Sequence, residues 1–593
     1  MITQAFQSTA LPADWRPNYD REPVVPVPGH ADGLSLGWDT IAERLTATGV
    51  LSIDCYDAVD DVVIAKELNR RLGFDRVIHT ASLMKTPAEI DTMLERWLGG
   101  DDPVFGFLCS VELAEFFDPA KLDAARRDCG GKTLVIGPGA ALVNPGDVAV
   151  LADMPRWEVQ ARQRAGTAGN LGADNAGHKA SLLYKRSYFI DWRALDRHKK
   201  PLLDRCDFFL DTTVPDTPKL AAGDAVREGL EHCTTRPFRV VPFFDPGPWG
   251  GQWMREVCRL EDYRDDDPPN YAWCFDCVPE ENSLRLGFGE DYIELPSVNA
   301  LFRHPAALLG DPVHARFGDE FPIRFDFLDT MEGGNLSFQV HPLTEFIQQH
   351  FGMHYTQDES YYLLDASEDG TCYLGVKPGV DPEEFGAALA EAQAGGAPFD
   401  ADRFANVFPA KPHDHLLIPA GTVHCSGRNT MVLEISATPY IFTFKLWDWG
   451  RLGLDGKPRP INIERGMANL DFGRDTAFCE RELVNAIEPI AEGDGWREER
   501  TGLHRREFIE TRRHWFTKAV EHDTGNVETG GVHVLNLVQG REAVVESPTG
   551  AFEPFVVHYA ETWIVPAAVG RYTVRPLGEG EHATVCASVR TGL

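Results

Sequence analysis

The pattern of apolar runs changes once along the chain, near residue 236, and that change limits the fold more than any other feature. Over residues 36–235, strand-like runs (VLSIDCYDAV, VFGFLC, TLVIGPG, DFFLDTT) alternate with amphipathic helical runs (DVVIAKELNRRLG, AEIDTMLERWL). Alternation of this kind predicts an α/β unit with a parallel sheet covered by helices. From 236 onward, short strands such as PIRFDFL are separated by Pro/Gly turns, as in PFRVVPFFDPGPWGGQW, which predicts all-β barrels with helical inserts such as DPEEFGAALAEAQA. A chain of 593 residues exceeds one hydrophobic core, so several units are expected. We divide it into an extended, proline-rich arm (1–35), an α/β domain (36–235), a first barrel (236–458), a helical segment and connection (459–525) and a C-terminal barrel (526–593).

The balance of charge narrows the partners. A formal net charge of −34 argues against nucleic acid or an anionic membrane surface, both of which require a basic patch. No apolar run reaches the roughly 18 residues of a membrane span. The first twenty residues lack a basic stretch followed by an apolar one, so no secretory leader is expected. Twelve cysteines lie scattered, mostly in apolar segments, as reduced and buried thiols do in a cytoplasmic protein. The one CxxC pair, Cys274 and Cys277, has no second pair nearby, which leaves burial as its simplest role against a metal or redox one.

Within the first barrel, LSFQVHP places Gln339 and His341 two apart, hence on one face of a strand, where aliphatic residues normally sit. Glu359 heads a second strand, ESYYLL, and His424 follows a Pro-Ala-Gly turn in HDHLLIPAGTVHCSG. Two imidazoles, a carboxylate and an amide on neighbouring strands suit a divalent ion, with Zn²⁺ favoured by the nitrogen ligands and open positions left for water or substrate. The competing explanation is separate polar residues at solvent-facing strand ends.

The motifs LSFQVHP, DESYYLLDA, YLGVKPGV, LLIPAGTVH, VLEIS and TFKLWDWGR, in that order, resemble the type I mannose-6-phosphate isomerases of the cupin superfamily. WGG at 249–251 and FPIRFDFLD at 321–329 are similar to the start of that enzyme, and the C-terminal strands to its second barrel, so the resemblance covers roughly 240–593. It implies a double cupin fold, an aldose–ketose isomerase acting on a sugar or sugar phosphate, and zinc ligands Gln339, His341, Glu359 and His424. It also implies a catalytic role for Glu434, with Lys445 at a position usually held by arginine, and phosphate contact by Ser337. An alternative for Glu434 is a salt bridge within the barrel. The family's lysine two residues before the metal glutamate is Gln357 here, and its lysine before the FLD motif is Asp326. An aspartate facing the pocket would repel phosphate, and Arg324, Lys377 and Arg451 are the cations expected to compensate, with Lys377 and Arg451 assigned to substrate binding.

The α/β region weakly resembles the P-loop nucleoside-kinase-like domains fused to some such isomerases. No GxxxxGK[ST] is present, and the first strand is followed by the acidic DCYDAVD, so a degenerate fold without phosphate transfer is expected. GPGAAL at 137–142 reads as a strand-end turn. A cluster of Arg156, Arg162, Arg164, Lys185, Arg186, Arg193 and Arg197 is either a lid or a solvated helix face. The expected protein is thus a cytoplasmic zinc isomerase of a small sugar or sugar phosphate, and self-association is compatible with it. The alternatives are a bifunctional sugar kinase–isomerase and a metal-bound sugar sensor without turnover; an iron cupin oxygenase fits the ligand pattern less well.

Overall fold

The computed structural model describes residues 16–46, 49–100, 102–437, 440, 442–454, 456, 459–502 and 507–591. Residues 34–222 build a seven-stranded sheet. Its strands Arg76–His79, Thr133–Gly137, Leu51–Cys55, Val148–Asp153 and Phe208–Asp211 run parallel in that spatial order. Lys219–Ala222 and then Leu34–Leu36 add antiparallel at one edge. The central strands are fully buried, as the continuous apolar runs require of a sheet covered on both faces. Helix Asp61–Leu72 starts where Asp60 accepts the Val63 N–H and stops at left-handed Gly73, the two local signals that bracket an amphipathic run.

Two corrections concern this half. VFGFLC forms no strand: its backbone N–H groups at Phe107, Leu108 and Cys109 donate to carbonyls of Trp97, Phe351 and Phe189, three different segments. Phe105 instead stacks on Phe351 and Phe442 of the following barrel, at centroid distances of 5.0 and 5.9 Å. The arm is also not free where described. Val24–Pro26 pairs parallel with Ser283–Phe288, extending the hairpin that this strand makes with Asp291–Pro296. Residues 1–15 of the arm lie outside the described residues.

The first barrel packs a six-stranded sheet against a five-stranded one. The larger runs His415–Ile418, Glu359–Ala366, Thr430–Ser436, Arg324–Asp329, Trp273–Cys277, Phe243–Asp245. The smaller runs Ala405–Pro409, Thr371–Val376, His424–Ser426, Phe338–Val340, Phe444–Trp447. Glu359–Ala366 and Thr430–Ser436 are buried at every position, so both faces of the larger sheet are covered there. The C-terminal barrel pairs a six-stranded with a four-stranded sheet. The connection assigned to 459–525 is helical only over Ile463–Asn469 and Thr476–Glu482. Glu488–Gly493, Trp496–Gly502 and Ile509–Phe516 are strands of the C-terminal six-stranded sheet. Their charge-rich sequence hid them, because Glu488–Gly493 is an exposed edge strand with no apolar face. All twelve cysteines are free and all but the half-buried Cys129 are buried, Cys274 and Cys277 included.

Candidate metal centre and substrate cavity

Cross-strand register places the site. In the five-stranded sheet, Gln339 lies opposite Lys445 on one side and His424 on the other, so these three share a row. In the facing sheet, Glu434 lies opposite Asp326 and Tyr361, and Glu359 opposite Ser436. The two rows meet inside the barrel. His341 Nε2 lies 3.0 Å from Glu359 Oε2, and His424 Nε2 lies 2.9 Å from Glu359 Oε1. Gln339 Nε2 is 3.2 Å from His424 Nε2.

Both imidazoles are held from behind. His341 Nδ1 donates to the Phe442 carbonyl at 2.8 Å, and His424 Nδ1 to the Thr422 carbonyl at 2.9 Å. These bonds leave each Nε2 lone pair aimed inward, the arrangement that orients a metal-binding histidine. His341 Nε2 and Glu359 Oε1 have no hydrogen-bond partner although both are buried. The two imidazole Nε2 atoms face the two Glu359 oxygens at the centre of the cluster. Among the described residues, His341, Glu359 and His424 bring their ligand atoms within 4.8 Å of one another. Gln339 can complete the set. Its Oε1 accepts from Ser337 Oγ at 2.8 Å, and turning the amide would present that oxygen inward while Ser337 Oγ accepts from the NH₂. The donor set thus fits a zinc ion.

The Pro-Ala-Gly turn is fixed to the same residues. The Gly421 N–H donates to the His341 carbonyl at 3.0 Å, and the Ala420 N–H to Asp358 Oδ1 at 2.7 Å. Gly421 has φ +89° and a Cβ there would sit 3.0 Å from the Asn469 carbonyl, so glycine is required. Buried Arg474 clamps the turn through the Pro419 carbonyl and Thr422 Oγ1.

A cavity of about 320 Å³ opens beside Gln339 and Ser337. Gln339, Ser337, Gln357, Glu434, Asp326, Arg324, Lys445 and Arg459 line it. Burial, then the neighbouring Glu359 and Asp326, push the Glu434 carboxyl far above the usual range, so a proton can reside there. Gln357 Nε2 donates to Glu359 Oε2 at 3.1 Å and lies 3.5 Å from Glu434 Oε1, bridging the two carboxylates. Asp326 faces the cavity but is matched by Arg324 at 2.6 Å, which offsets the expected repulsion. Burial and then the Arg459 guanidinium pull the Lys445 ammonium down to about 7.

Two assignments do not survive. Lys377 lies outside the cavity, exposed, with its Nζ on the Asp402 carbonyl. Arg451 does not line it either and pairs with Asp448 at 2.8 Å. Both side chains are long, and sequence spacing cannot aim them. Conversely, Arg459 and three N-terminal residues, Gln160, Arg164 and Tyr184, line the cavity and were not anticipated. They come from helix Arg156–Arg164 and helix Ala180–Arg186, which dock on the barrel. Gln160 Nε2 and Tyr184 Oη donate to Glu281 at 2.8 and 3.0 Å. Tyr184 and Tyr188 stack on Tyr440, with centroids 5.6 and 4.1 Å away. Arg164 pairs with Asp245 at the cavity rim.

The other cations of the N-terminal cluster are consumed internally. Arg156 pairs with buried Asp196, Arg162 with Glu158, and Arg186 with Asp191 and Asp91. Lys185, Arg193 and Arg197 donate to backbone carbonyls. They form neither a lid over triphosphate nor a solvated face. GPGAAL is a strand-end turn, and its Gly139 and Ala141 N–H groups donate to the Asp54 carboxylate at 3.1 and 2.9 Å.

A family described as a domain of unknown function (DUF8485) matches residues 37–235. Mannose-6-phosphate isomerase ManA of Bacillus subtilis (strain 168) is 25% identical over 240 residues, covering 40% of this chain and 68% of that protein. Mannose-6-phosphate isomerase of Streptococcus mutans serotype c is 28% identical over 154 residues, 26% of this chain and 45% of that protein. The crystal structure of the mannose 6-phosphate isomerase from Bacillus subtilis aligns with 60% of this chain and 99% of its own, at 16% identity and a TM-score of 0.47. A zinc-bound mannose 6-phosphate isomerase structure aligns with 59% of this chain and 99% of its own, at 16% identity and a TM-score of 0.44. No helix among the described residues is long and apolar enough to cross a membrane.

Proposed function

We propose that the chain is a zinc-dependent aldose–ketose isomerase that interconverts mannose 6-phosphate and fructose 6-phosphate or a close sugar-phosphate relative. One observation carries this reading. One cavity reaches Gln339, whose side chain lies beside the converging ligand atoms of His341, Glu359 and His424, and is lined as well by a protonatable carboxyl at Glu434 and by Lys445 and Arg459. The similarity to mannose-6-phosphate isomerases supports the choice of sugar.

His341, Glu359, His424 and Gln339 would hold the ion, which when bound supplies Lewis-acid stabilisation of negative charge building on the sugar oxygens at C1 and C2. Glu434 exchanges the proton between the two carbons; its raised affinity for a proton suits a group that must hold one between abstraction and return. Gln357 keeps Glu434 and Glu359 in register. Lys445, Arg459 and Ser337 receive the phosphate end, and Arg164 adds a cation at the rim. Tyr184 and Gln160 narrow the entrance and exclude water.

The N-terminal sheet is read as a kinase-like fold without phosphate transfer, serving as the roof of this cavity. The amides that could cradle a phosphate are taken by Asp54. The test is direct assay: zinc-loaded protein interconverts mannose 6-phosphate and fructose 6-phosphate, and chelated protein does not. Protein that holds zinc at His341 and His424 and binds sugar phosphates, yet isomerises none of them, is a sensor, and the enzymatic reading falls.

A further inference from the structure

The C-terminal barrel has a second set of metal-type ligands that the isomerase reading leaves unused. Its apolar core is packed by Leu535, Leu537, Val545, Trp563 and Val574. Into it project His522 from strand Val520–Asp523, His533 from His533–Gln539 and Cys586 from His582–Val589. All three are buried, and their ligand atoms lie within 4.8 Å of one another. Only one other group among the described residues meets that condition, the His341, Glu359, His424 set.

Hydrogen bonding separates this cluster from ordinary core histidines. His533 Nε2 donates to the Thr529 carbonyl at 2.8 Å, which leaves Nδ1 as a lone pair facing inward, 2.9 Å from the Tyr572 hydroxyl. His522 is 9% exposed and its Nε2 has no partner. It lies opposite Tyr572 in register and stacks flat on it, with an interplanar angle of 7° and a centroid distance of 4.9 Å. A fourth imidazole, His514, lies 4.5 Å from His522 between centroids, and its buried Nδ1 also has no partner. A buried ring nitrogen with no partner is destabilising, and His522 Nε2, close to the Cys586 thiol and to the His533 ring, marks a place where a cation would satisfy it.

We propose that the C-terminal barrel binds a second zinc ion through His522, His533 and Cys586, with His514 or water completing a tetrahedral set. Zinc–nitrogen and zinc–sulfur bonds of about 2.0 and 2.3 Å place tetrahedral ligand atoms about 3.3 to 3.6 Å apart, a spacing that a small inward shift of ligand atoms lying within 4.8 Å of one another can reach. The Cys586 thiol loses its proton to solvent as the Zn–S bond forms, and the Tyr572 hydroxyl gives up its bond to His533 Nδ1. His522 belongs to the four-stranded sheet, and His533 and Cys586 to the six-stranded one, so the ion ties the two sheets together.

Cobalt reports on the two sites separately, because the first has no sulfur ligand. Metal-stripped full-length protein titrated with Co²⁺ is expected to take up two ions per chain and to develop a near-ultraviolet thiolate-to-cobalt absorption band. Cys586→Ser should lose the band and one of the two ions, while His341→Ala with His424→Ala should keep the band and lose the other ion. Wild-type protein saturated with cobalt that shows no thiolate band overturns the proposal, whatever the variants do. A band that persists in Cys586→Ser assigns the sulfur to another cysteine and overturns it equally.

Discussion

The first barrel and the N-terminal unit both bury charged side chains, and they differ in how many are left against like charge. In the N-terminal sheet Arg156 meets Asp196, Lys199 meets Asp153, and Arg186 meets Asp191, all buried. In the first barrel, Glu359 is matched by His341 and His424, but Glu434 is buried against two like-charged neighbours, Glu359 and Asp326. Matched charges hold a fold, and mismatched ones store free energy that a ligand can release. A cluster of cations in a sequence is therefore weak evidence of function until its partners are known.

If the contrast holds, substitutions in the barrel cost activity and substitutions in the N-terminal sheet cost stability. The largest loss is expected for His341→Ala combined with His424→Ala, which removes two ligands. Isomerase activity should fall by at least ~10³-fold with the first metal ion lost, and metal analysis beside steady-state assay checks both. Activity retained at the wild-type level would place the chemistry elsewhere.

Glu434→Gln comes next. It should lower kcat by roughly 10²- to 10⁴-fold with zinc content unchanged. The sign for stability is opposite. The folded state raises the Glu434 pKa, so its carboxylate destabilises the metal-free fold increasingly as pH rises above the ordinary glutamate range. The glutamine variant should then unfold at higher denaturant than the wild type when both are metal-free at neutral pH. A less stable variant would show that Glu434 is a structural partner.

Arg156→Ala sharpens the other side. Removing the ion-pair partner of buried Asp196 should destabilise the protein by about 3–5 kcal/mol, measured by urea unfolding, with kcat unchanged in the folded fraction. Neither this variant nor the wild type should hydrolyse ATP at a rate above background. ATP turnover coupled to sugar phosphorylation would restore the bifunctional reading.

Smaller effects separate the phosphate end. Arg459→Ala and Arg164→Ala should each raise KM for mannose 6-phosphate by about tenfold, the equivalent of ~1.4 kcal/mol, with little change for free mannose. The smallest effect is on pH. Lys445 is cationic below about 7, while a phosphate ester is dianionic above about 6. Affinity should be greatest between those limits and weaken severalfold as pH rises past Lys445 deprotonation. Lys445→Arg should remove the alkaline fall.

The sequence carried the metal set because its signal is local. Gln339 and His341 share a strand face, and His424 follows a turn that needs Gly421. The parallel sheet was legible for the same reason, from runs such as TLVIG that become Thr133–Gly137. What sequence could not supply was aim across long range. Arg451 and Arg459 both pair with Asp448, yet only Arg459 lines the cavity. Arg164 and Tyr184 belong to another unit altogether, and its docking on Tyr440 brings them to the cavity. VFGFLC misled because an apolar run that packs by its side chains alone looks like a strand.

The central claim is that one cavity positions a metal and a sugar phosphate together. Diffraction at the zinc edge from crystals soaked with mannose 6-phosphate tests it most directly. The account predicts an anomalous peak within bonding distance of His341 Nε2, His424 Nε2 and Glu359, with the C1–C2 end of the sugar beside it and the phosphate against Lys445 and Arg459. A zinc-replete crystal with no peak between those three residues, or a sugar bound away from it, would contradict the account.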